Sequence, residues 1–312
     1  MANTYPPIPE YQKHSRITDM AEFDAMWKRS VEDPDGFWGE MADKLVTWTK
    51  KWDKVSEWDF HVPYHRWFQG AKLNVCWNVL DKHVEAGWGD KTAIIFEGDQ
   101  GDVREWTYKE LLDEVTRFAN VLKKHGVKKG DRVAIYLPMI GELPIAMLAC
   151  ARIGAIHMVV FGGFSAEALK ARIDNCGAKL LITVDKGWRG GKHTAGKVNA
   201  DAALQGETTV EKVIVVKRID GDVNMVPGRD VWFHEEIAAA DVQDGCDCAE
   251  VDAEDPLFIL YTSGSTGTPK GCIHTNGGYL TYVAATMKYI VDYQDGDVWF
   301  CSADIGWVTG HS

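Results

Sequence analysis

From residue 91 onward, short apolar runs alternate with segments in which apolar residues recur every three or four positions. Short apolar runs predict buried strands, and the three-to-four spacing predicts amphipathic helices. The predicted strands are residues 92–96, 103–106, 132–137, 156–160, 180–184, 213–216, 257–261 and 299–301, and the predicted helices follow Thr107 and Ser165 or cover residues 143–153 and 279–291. This alternation predicts an α/β fold with mainly parallel sheets flanked by helices. In such folds ligands collect at the carboxyl ends of the strands.

The helix after Thr107 has the clearest local signals. Thr107 and Glu110 have the spacing of a capping box, in which each side chain satisfies a free backbone N–H at the helix start. The apolar positions on one face of this helix are Leu111, Val115, Phe118 and Leu122. Gly126 has the position of a C-terminal cap. The preceding residues 92–96 and 103–106 predict a hairpin across a Gly-Asp-Gln-Gly turn.

Residues 1–90 have a different character, because they are rich in tryptophan and have few clear periodicities. Phe37-Trp38 and Trp67-Phe68 are candidate anchors that attach an irregular segment to a larger body. We therefore predict an N-terminal aromatic-rich segment over residues 1–90 and a larger domain over residues 91–312.

The composition excludes several classes of function. The 312 residues carry a formal net charge of −12, which disfavours non-specific binding to nucleic acid or to anionic membranes. The chain contains no apolar stretch of the roughly 20 residues that span a bilayer. Its seven cysteines are scattered, without a disulfide framework, which predicts a cytoplasmic location. Cys246 and Cys248 form the closest pair, and we interpret them as part of an exposed loop and not as a metal site.

The segment Tyr261-Thr-Ser-Gly-Ser-Thr-Gly-Thr-Pro-Lys-Gly271 follows a predicted apolar strand. Its glycines allow the backbone to approach a ligand closely, its hydroxyl groups add hydrogen-bond donors, and Lys270 adds a positive charge. Together these are the components of a polyphosphate-binding loop. The spacing differs from that of a Walker A loop and from that of a dinucleotide fingerprint. The alternative interpretation is a flexible Ser/Thr/Gly linker.

This segment resembles the signature of the adenylate-forming superfamily, which includes acyl-CoA synthetases, luciferases and peptide-synthetase adenylation domains. The resemblance implies a loop that binds the β- and γ-phosphates of ATP, with Thr262 and Lys270 as the catalytic candidates. The residues to which it assigns phosphate binding are Thr262, Ser263, Gly264, Ser265, Thr266, Gly267 and Lys270. Many members have lysine or leucine where this chain has Thr268.

Two further segments are similar to the acetyl-CoA synthetase group of this superfamily. One is Phe161-Gly162-Gly163, which by itself predicts only a tight turn or an anion site before a helix. The other is a glycine-rich loop with two basic residues, which by itself is equally consistent with a solvated surface loop. The resemblance implies that both segments hold the adenine and 3′-phosphate of CoA. The residues of the second segment to which it assigns this role are Arg189, Gly190, Gly191 and Lys192. The family commonly has arginine where this chain has Lys192. The lysine keeps the positive charge, but it lacks the forked geometry of an arginine side chain.

A third segment, residues 303–312, is similar to the floor of the family's acyl pocket. The resemblance implies that Val308 and Thr309 line a site for a small carboxylate, with Trp307 packed behind them and Thr309 also near the CoA thiol. A core element is the alternative interpretation for Trp307. We interpret His311 as a structural residue, because the implied chemistry needs no general base.

The resemblance spans nearly the whole chain and implies a ligase that uses ATP, Mg²⁺ and CoA to convert a short carboxylic acid into its acyl-CoA. We expect the chain to lack the C-terminal domain, the magnesium ligand and the adenine contacts, so that these 312 residues alone make little acyl-CoA. Propionate, acetoacetate and acetate remain alternative substrates. A non-catalytic nucleotide- or CoA-binding fragment is the alternative class of function, and the oligomeric state is left open.

Overall fold

The computed structural model describes residues 6, 8–62, 64–239, 241–262 and 269–312. The strands in these residues are β1 (Lys54–Asp59), β2 (Tyr64–Gln69), β3 (Lys72–Leu73), β4 (Thr92–Glu97), β5 (Val103–Thr107), β6 (Arg132–Tyr136), β7 (Ile156–Val159), β8 (Leu180–Val184), β9 (Gly187–Arg189), β10 (Lys192–Thr194), β11 (Lys212–Val216), β12 (Asp230–Trp232), β13 (Val251–Asp252), β14 (Pro256–Thr262) and β15 (Lys270–Thr275). The helices are α1 (Pro9–Gln12), α2 (Met20–Glu32), α3 (Pro34–Leu45), α4 (Val75–Val79), α5 (Asp81–His83), α6 (Tyr108–Lys124), α7 (Glu142–Arg152), α8 (Ala166–Cys176), α9 (Gly196–Ala203), α10 (Phe233–Ala238), α11 (Asn276–Tyr289) and α12 (Val308–His311), and a π-helical turn covers Val84–Trp88.

The chain divides into two compact units. The first comprises Met1–Lys72, Asp252–Glu254 and Gly277–Phe300, and the second comprises Leu73–Val251, Asp255–Asn276 and Cys301–Ser312. The boundary near residue 90 that we infer from composition remains a prediction.

A seven-stranded sheet forms the centre of the second unit, with the order β12-β11-β8-β6-β7-β14-β15. The neighbouring pairs from β12 to β14 are parallel, and β15 runs antiparallel to β14 at the edge. The α/β prediction with a mainly parallel sheet is therefore confirmed. The helices α8 and α9 pack on one face of the sheet, over a core that includes Ala134, Met158 and Val213. Because strand side chains alternate between faces, Val133 and Ile135 lie on the opposite face, where α7 packs against β6.

Local capping signals are confirmed in this unit. The Thr107 hydroxyl accepts a hydrogen bond from the Glu110 N–H, and the Glu110 carboxylate accepts one from the Thr107 N–H. Such a cap stabilises a helix by about 1 kcal/mol. The predicted apolar face is buried: Leu111, Val115 and Phe118 have exposed fractions of 3%, 0% and 0%.

The first unit has a core of aromatic side chains. The rings of Trp48 and Trp52 lie 5.3 Å and 5.1 Å from that of Phe68, which is buried. Trp67 precedes Phe68 in β2, which pairs with β1 in an antiparallel hairpin. Phe68 therefore packs as an aromatic core residue within this unit, and attachment of the segment to a larger body through Trp67-Phe68 stays a prediction. The β1–β2 hairpin was not predicted.

Two sequence predictions are wrong. Residues 299–301 form no strand, and the side chains of Trp299 and Phe300 are exposed, because an apolar run without a pairing partner does not make a ladder. Cys246 does lie in a loop, but it is buried, because its carbonyl accepts a hydrogen bond from the buried Arg152 side chain. Across the described residues, none of the helices is both long and apolar enough to traverse a bilayer.

Candidate functional site

The strand order of the sheet places a topological switch point at the carboxyl end of β6, where the two adjoining loops are expected to border a crevice. The chain passes from β6 to β7 on one side and then to β8 on the other side, so the loops after β7 and β8 leave the sheet on either side of β6. Such a switch point is where parallel α/β sheets bind ligands. The loop after β7 contains Phe161, Gly162 and Gly163, and the loop after β8 leads into Arg189.

The two loops meet at Phe161. The Arg189 guanidinium carbon lies 4.4 Å from the centre of the Phe161 ring, and the Trp307 ring packs edge-on against the same ring at 4.9 Å. A Cβ atom on Gly163 would lie 3.0 Å from Arg189 Nη1 and 2.6 Å from the Phe161 ring. Likewise, a Cβ on Gly162 would lie 2.9 Å from the Leu137 carbonyl oxygen at the end of β6. Glycine at both positions therefore allows the turn to pack against β6 and Arg189.

Arg189 is held at the end of a short hairpin formed by β9 and β10. Gly190 and Gly191 at its tip have φ angles of 56° and 74°, as a two-residue turn with two left-handed residues requires. The Gly190 N–H donates to a carboxylate oxygen of Asp99 at 3.0 Å. Lys192 begins β10 and is exposed. The basic loop is thus an ordered hairpin that holds Arg189 against Phe161.

The buried carboxylate of Asp185 fixes the start of this loop. Asp185 directly follows β8 and has an exposed fraction of 2%. One of its carboxylate oxygens accepts a hydrogen bond from the Arg218 N–H at 3.0 Å, and the other accepts one from the Ile219 N–H at 3.0 Å. The loops after β8 and β11 are therefore joined through one side chain, a role that we did not foresee from the sequence.

Asp304 is a second residue that the sequence did not single out. Burial raises the pKa of its carboxyl group, whereas the Gly306 N–H at 2.8 Å and the positive charge of Arg189 oppose that rise. Because Asp304 and a phosphate would share the positive charge of Arg189, this carboxylate is placed to influence anion binding in the crevice. Its only sequence signal is its position four residues before Val308.

The structure brings some predicted site residues together and leaves others apart. Phe161, Gly163, Arg189 and Trp307 form one cluster. Val308 and Thr309 lie in the short helix α12 and are exposed. Residues 263–268, which hold most of the predicted phosphate loop, lie outside the described residues.

The two ends of that loop are described. Thr262 ends β14 and Lys270 begins β15; the two residues are paired across the antiparallel ladder, and both are exposed. Because β14 is parallel to β7, their carboxyl ends lie at the same end of the sheet. Thr262 therefore lies at the same end of the sheet as Phe161. The strand β15 itself was not predicted.

Family models match nearly the whole chain. Residues 80–312 match the model described as AMP-binding enzyme, and residues 23–79 match the one described as acetyl-coenzyme A synthetase N-terminus. The chain belongs to the AMP-binding enzyme family. Because this family comprises adenylate-forming enzymes, the resemblance that we infer from residues 261–271 is confirmed at the level of the family.

Curated relatives of this AMP-binding chain carry the name acetyl-coenzyme A synthetase. The protein from Alkalilimnicola ehrlichii is 55% identical over 307 residues, which cover 98% of this chain and 47% of the relative. The proteins from Alcanivorax borkumensis and Halorhodospira halophila are 54% and 53% identical, with the same coverage. The chain therefore spans about half the length of the curated relatives it matches.

Among the described residues, no group of three or more His, Cys, Asp and Glu side chains suits magnesium. The group of His, Cys, Asp and Glu side chains close enough to share an ion consists of Cys76, Asp81 and Cys248. Mg²⁺ prefers carboxylate and water oxygens, and thiols do not suit it.

Proposed function

We propose that this chain is the amino-terminal part of an AMP-forming acetate–CoA ligase. The curated relatives are named for the acetyl-CoA product, and the family model covers residues 80–312. In the reaction that membership implies, a carboxylate attacks the α-phosphorus of ATP to give acyl-AMP and pyrophosphate. The CoA thiolate then attacks the mixed anhydride and releases AMP.

The observation that carries the proposal is the cluster at the carboxyl end of β6. An arginine that lies on an aromatic ring at a strand switch point has the chemistry to bind a phosphate by two parallel hydrogen bonds and to stack on a purine. The glycines beside it leave backbone accessible, as close approach of a nucleotide requires. We propose that Phe161, Gly162, Gly163 and the β9–β10 hairpin hold the adenine and 3′-phosphate of CoA.

For the first step, we propose that these residues act by positioning and by neutralising charge. Lys270 and Thr262 border the predicted phosphate loop at the end of β14, where the positive charge of Lys270 would offset charge on the β- and γ-phosphates. Val308 and Thr309 would contact the small acyl group, and Trp307 supports them through its contact with Phe161. No side-chain nucleophile is needed in this scheme.

We expect Arg189→Ala to weaken CoA binding by about 10- to 100-fold, because a charge-assisted hydrogen-bond pair contributes roughly 1.5–3 kcal/mol. Isothermal titration of the chain with CoA measures this loss. Dephospho-CoA lacks the 3′-phosphate. Arg189→Ala and the unmodified chain should therefore bind dephospho-CoA with nearly equal affinities. The CoA affinity of Arg189→Lys should lie between those of the unmodified chain and Arg189→Ala, since lysine keeps the positive charge but lacks the forked guanidinium geometry.

Arg66→Ala is the matched control, because Arg66 is an exposed arginine whose guanidinium lies 5.1 Å from the Tyr64 ring in the other unit. Its CoA affinity should equal that of the unmodified chain. An Arg189→Ala chain that binds CoA and dephospho-CoA with unchanged affinities would remove Arg189 from the site. Failure of the unmodified chain to bind CoA at all would contradict the CoA-binding role.

A further inference from the structure

A junction remote from the crevice contains two cysteines that the proposed reaction does not use. Cys76 lies in α4 and is fully buried, and Cys248 lies in the loop before β13 and is half-buried. The two sulfur atoms and a carboxylate oxygen of Asp81 all lie within 4.8 Å of one another. The two thiols are 172 positions apart in sequence, and no feature of the proposed ligase chemistry requires them to meet.

We propose that Cys76 and Cys248 are a reversible modification site, at which hydrogen peroxide or a similar two-electron oxidant links them in a disulfide. The sulfur atoms need to approach from within 4.8 Å to a bond length of about 2.05 Å. Since Cys248 belongs to a loop and not to a helix or a sheet ladder, a small movement of that loop brings it to Cys76.

Arg152 gives the pair a chemical environment that favours oxidation. Its Nη1 donates to the Cys76 sulfur at 3.4 Å, and its two terminal nitrogens donate to the two Asp81 carboxylate oxygens at 2.8 Å each. Positive charge beside a cysteine stabilises the negative charge that develops on sulfur when the thiol reacts. A hydrogen bond to Cys76, together with burial, raises the pKa of the Cys248 thiol.

The same arginine argues against a metal ion at this junction. Arg152 has an exposed fraction of 5%, and its guanidinium already supplies the positive charge that Asp81 and Cys76 face. A bound cation would lie beside this buried guanidinium or would have to displace it, and both are costly. The thiol pair is therefore suited to oxidation and not to a metal.

The proposed step is balanced with peroxide as the oxidant. The Cys76 sulfur attacks one peroxide oxygen, the O–O bond breaks, and Cys76 becomes a sulfenic acid as the thiol proton leaves with the second oxygen as water. The Cys248 sulfur then attacks the Cys76 sulfur, the S–O bond breaks, and the Cys248 proton leaves with the oxygen as water. The pair loses two electrons, peroxide is reduced to water, and a dithiol reductant reverses the reaction.

The disulfide would close a loop from α4 to the segment before β13. Asn74 already joins these segments, since its side-chain amide donates to the carbonyls of Ala151, Arg152 and Ala249. A covalent link at this junction restrains the unfolded chain more than the folded one. We therefore expect the oxidised chain to unfold at a higher urea concentration than the reduced chain.

The experiment treats the native chain with hydrogen peroxide, blocks the remaining thiols and digests the product without reduction. We expect the free thiols to fall by two, a peptide containing Cys76 to be linked to one containing Cys248, and dithiothreitol to restore both thiols and the lower urea midpoint. Cys248→Ser changes the half-buried member and should abolish the link. Cys150→Ser and Cys272→Ser, which change a buried and an exposed cysteine, should leave it intact.

Three outcomes would overturn the proposal. One is a link that forms only when urea is present during oxidation. Another is oxidation of the native chain that stops at sulfenic or sulfinic acid on Cys76 without a link to Cys248. The third is stoichiometric zinc in the isolated protein that Cys248→Ser removes. If Cys248→Ser does not fold, the linked peptide from the unmodified chain still decides, since it needs no variant.

Discussion

Replacing Arg152 with alanine is expected to lower the free energy of unfolding by about 3–5 kcal/mol. Arg152 has an exposed fraction of 5%, and its guanidinium donates to both carboxylate oxygens of Asp81 at 2.8 Å. It also donates to the Cys246 carbonyl. The substitution therefore leaves a nearly buried carboxylate without its counter-charge and a buried carbonyl without its donor, which costs far more than the loss of an exposed ion pair.

Urea denaturation followed by tryptophan fluorescence measures this loss. Lys170→Ala is the control, because Lys170 pairs with Asp174 at 3.2 Å on an exposed helix face, and its removal should cost under about 1 kcal/mol. The double variant Arg152→Met with Asp81→Leu should be more stable than Arg152→Met alone, since it removes both charges. If Arg152→Ala lowers the free energy of unfolding by less than about 1 kcal/mol, the ion pair between Arg152 and Asp81 does not stabilise the fold as we expect.

The second large effect is a loss of stability in mild acid from a group of buried histidines. His157 Nε2 and His311 Nε2 lie 2.8 Å apart, and the His311 ring stacks on Phe258 at 3.8 Å. Burial, and then the neighbouring His311, holds the pKa of His157 well below its usual value; burial, and then the charge of His274, lowers the pKa of His311 to about 3. Burial also lowers the pKa of His274, whose ring stacks on Phe258 at 4.4 Å.

The direction of the pH dependence follows from these lowered pKa values. The unfolded chain takes up protons on these histidines below about pH 6.5, whereas the folded chain does not until the pH approaches their folded pKa values. Stability is therefore complete above about pH 6.5 and falls as the pH drops toward 3. For His311, whose folded pKa is about 3, we expect a loss of about 2 kcal/mol between pH 7 and pH 5, at about 1.4 kcal/mol per pH unit. The lowered pKa of His157 adds to this loss in the same direction.

Urea midpoints measured at intervals between pH 7.5 and pH 5 would reveal this slope. Both His157→Phe and His311→Phe should reduce the slope, because each removes one of the two buried imidazoles. His234→Asn is the control, because His234 is exposed on α10, and its slope should equal that of the unmodified chain. A slope that persists in the His157→Phe and His311→Phe variants would assign the acid sensitivity to other groups.

The sequence predicted the elements whose signals are local. The strand boundaries at Leu180–Val184 and the capping box at Thr107 needed only neighbouring residues to be recognised. The β9–β10 hairpin was missed although Gly190-Gly191 is a recognised two-residue turn signal, because its flanking strands are short and polar. The edge strand β15 was missed for a similar reason, since its residues are mostly exposed and its stability comes from the ladder with β14.

The candidate site was predictable from motifs and not from geometry. The Phe161-Gly162-Gly163 segment and Arg189 were selected because they resemble a family pattern, and neither segment indicates that they touch. Their contact depends on the strand order, which places the loops after β7 and β8 on either side of β6. Asp185 and Asp304 were missed because a single acidic residue has no pattern that separates it from the many others in this acidic chain.

By itself, the sequence determined the α/β class, the parallel core, the caps and the family, because these depend on interactions within about a dozen residues or on an uninterrupted motif. Tertiary structure alone decided which distant residues meet: Arg152 with Asp81, Cys76 with Cys248, and His157 with His311. These contacts join positions from 71 to 172 residues apart, so each of them depends on how the intervening chain folds. Local propensities describe neighbouring residues and not the closure of such long loops, so no periodicity or spacing in the sequence predicts these contacts.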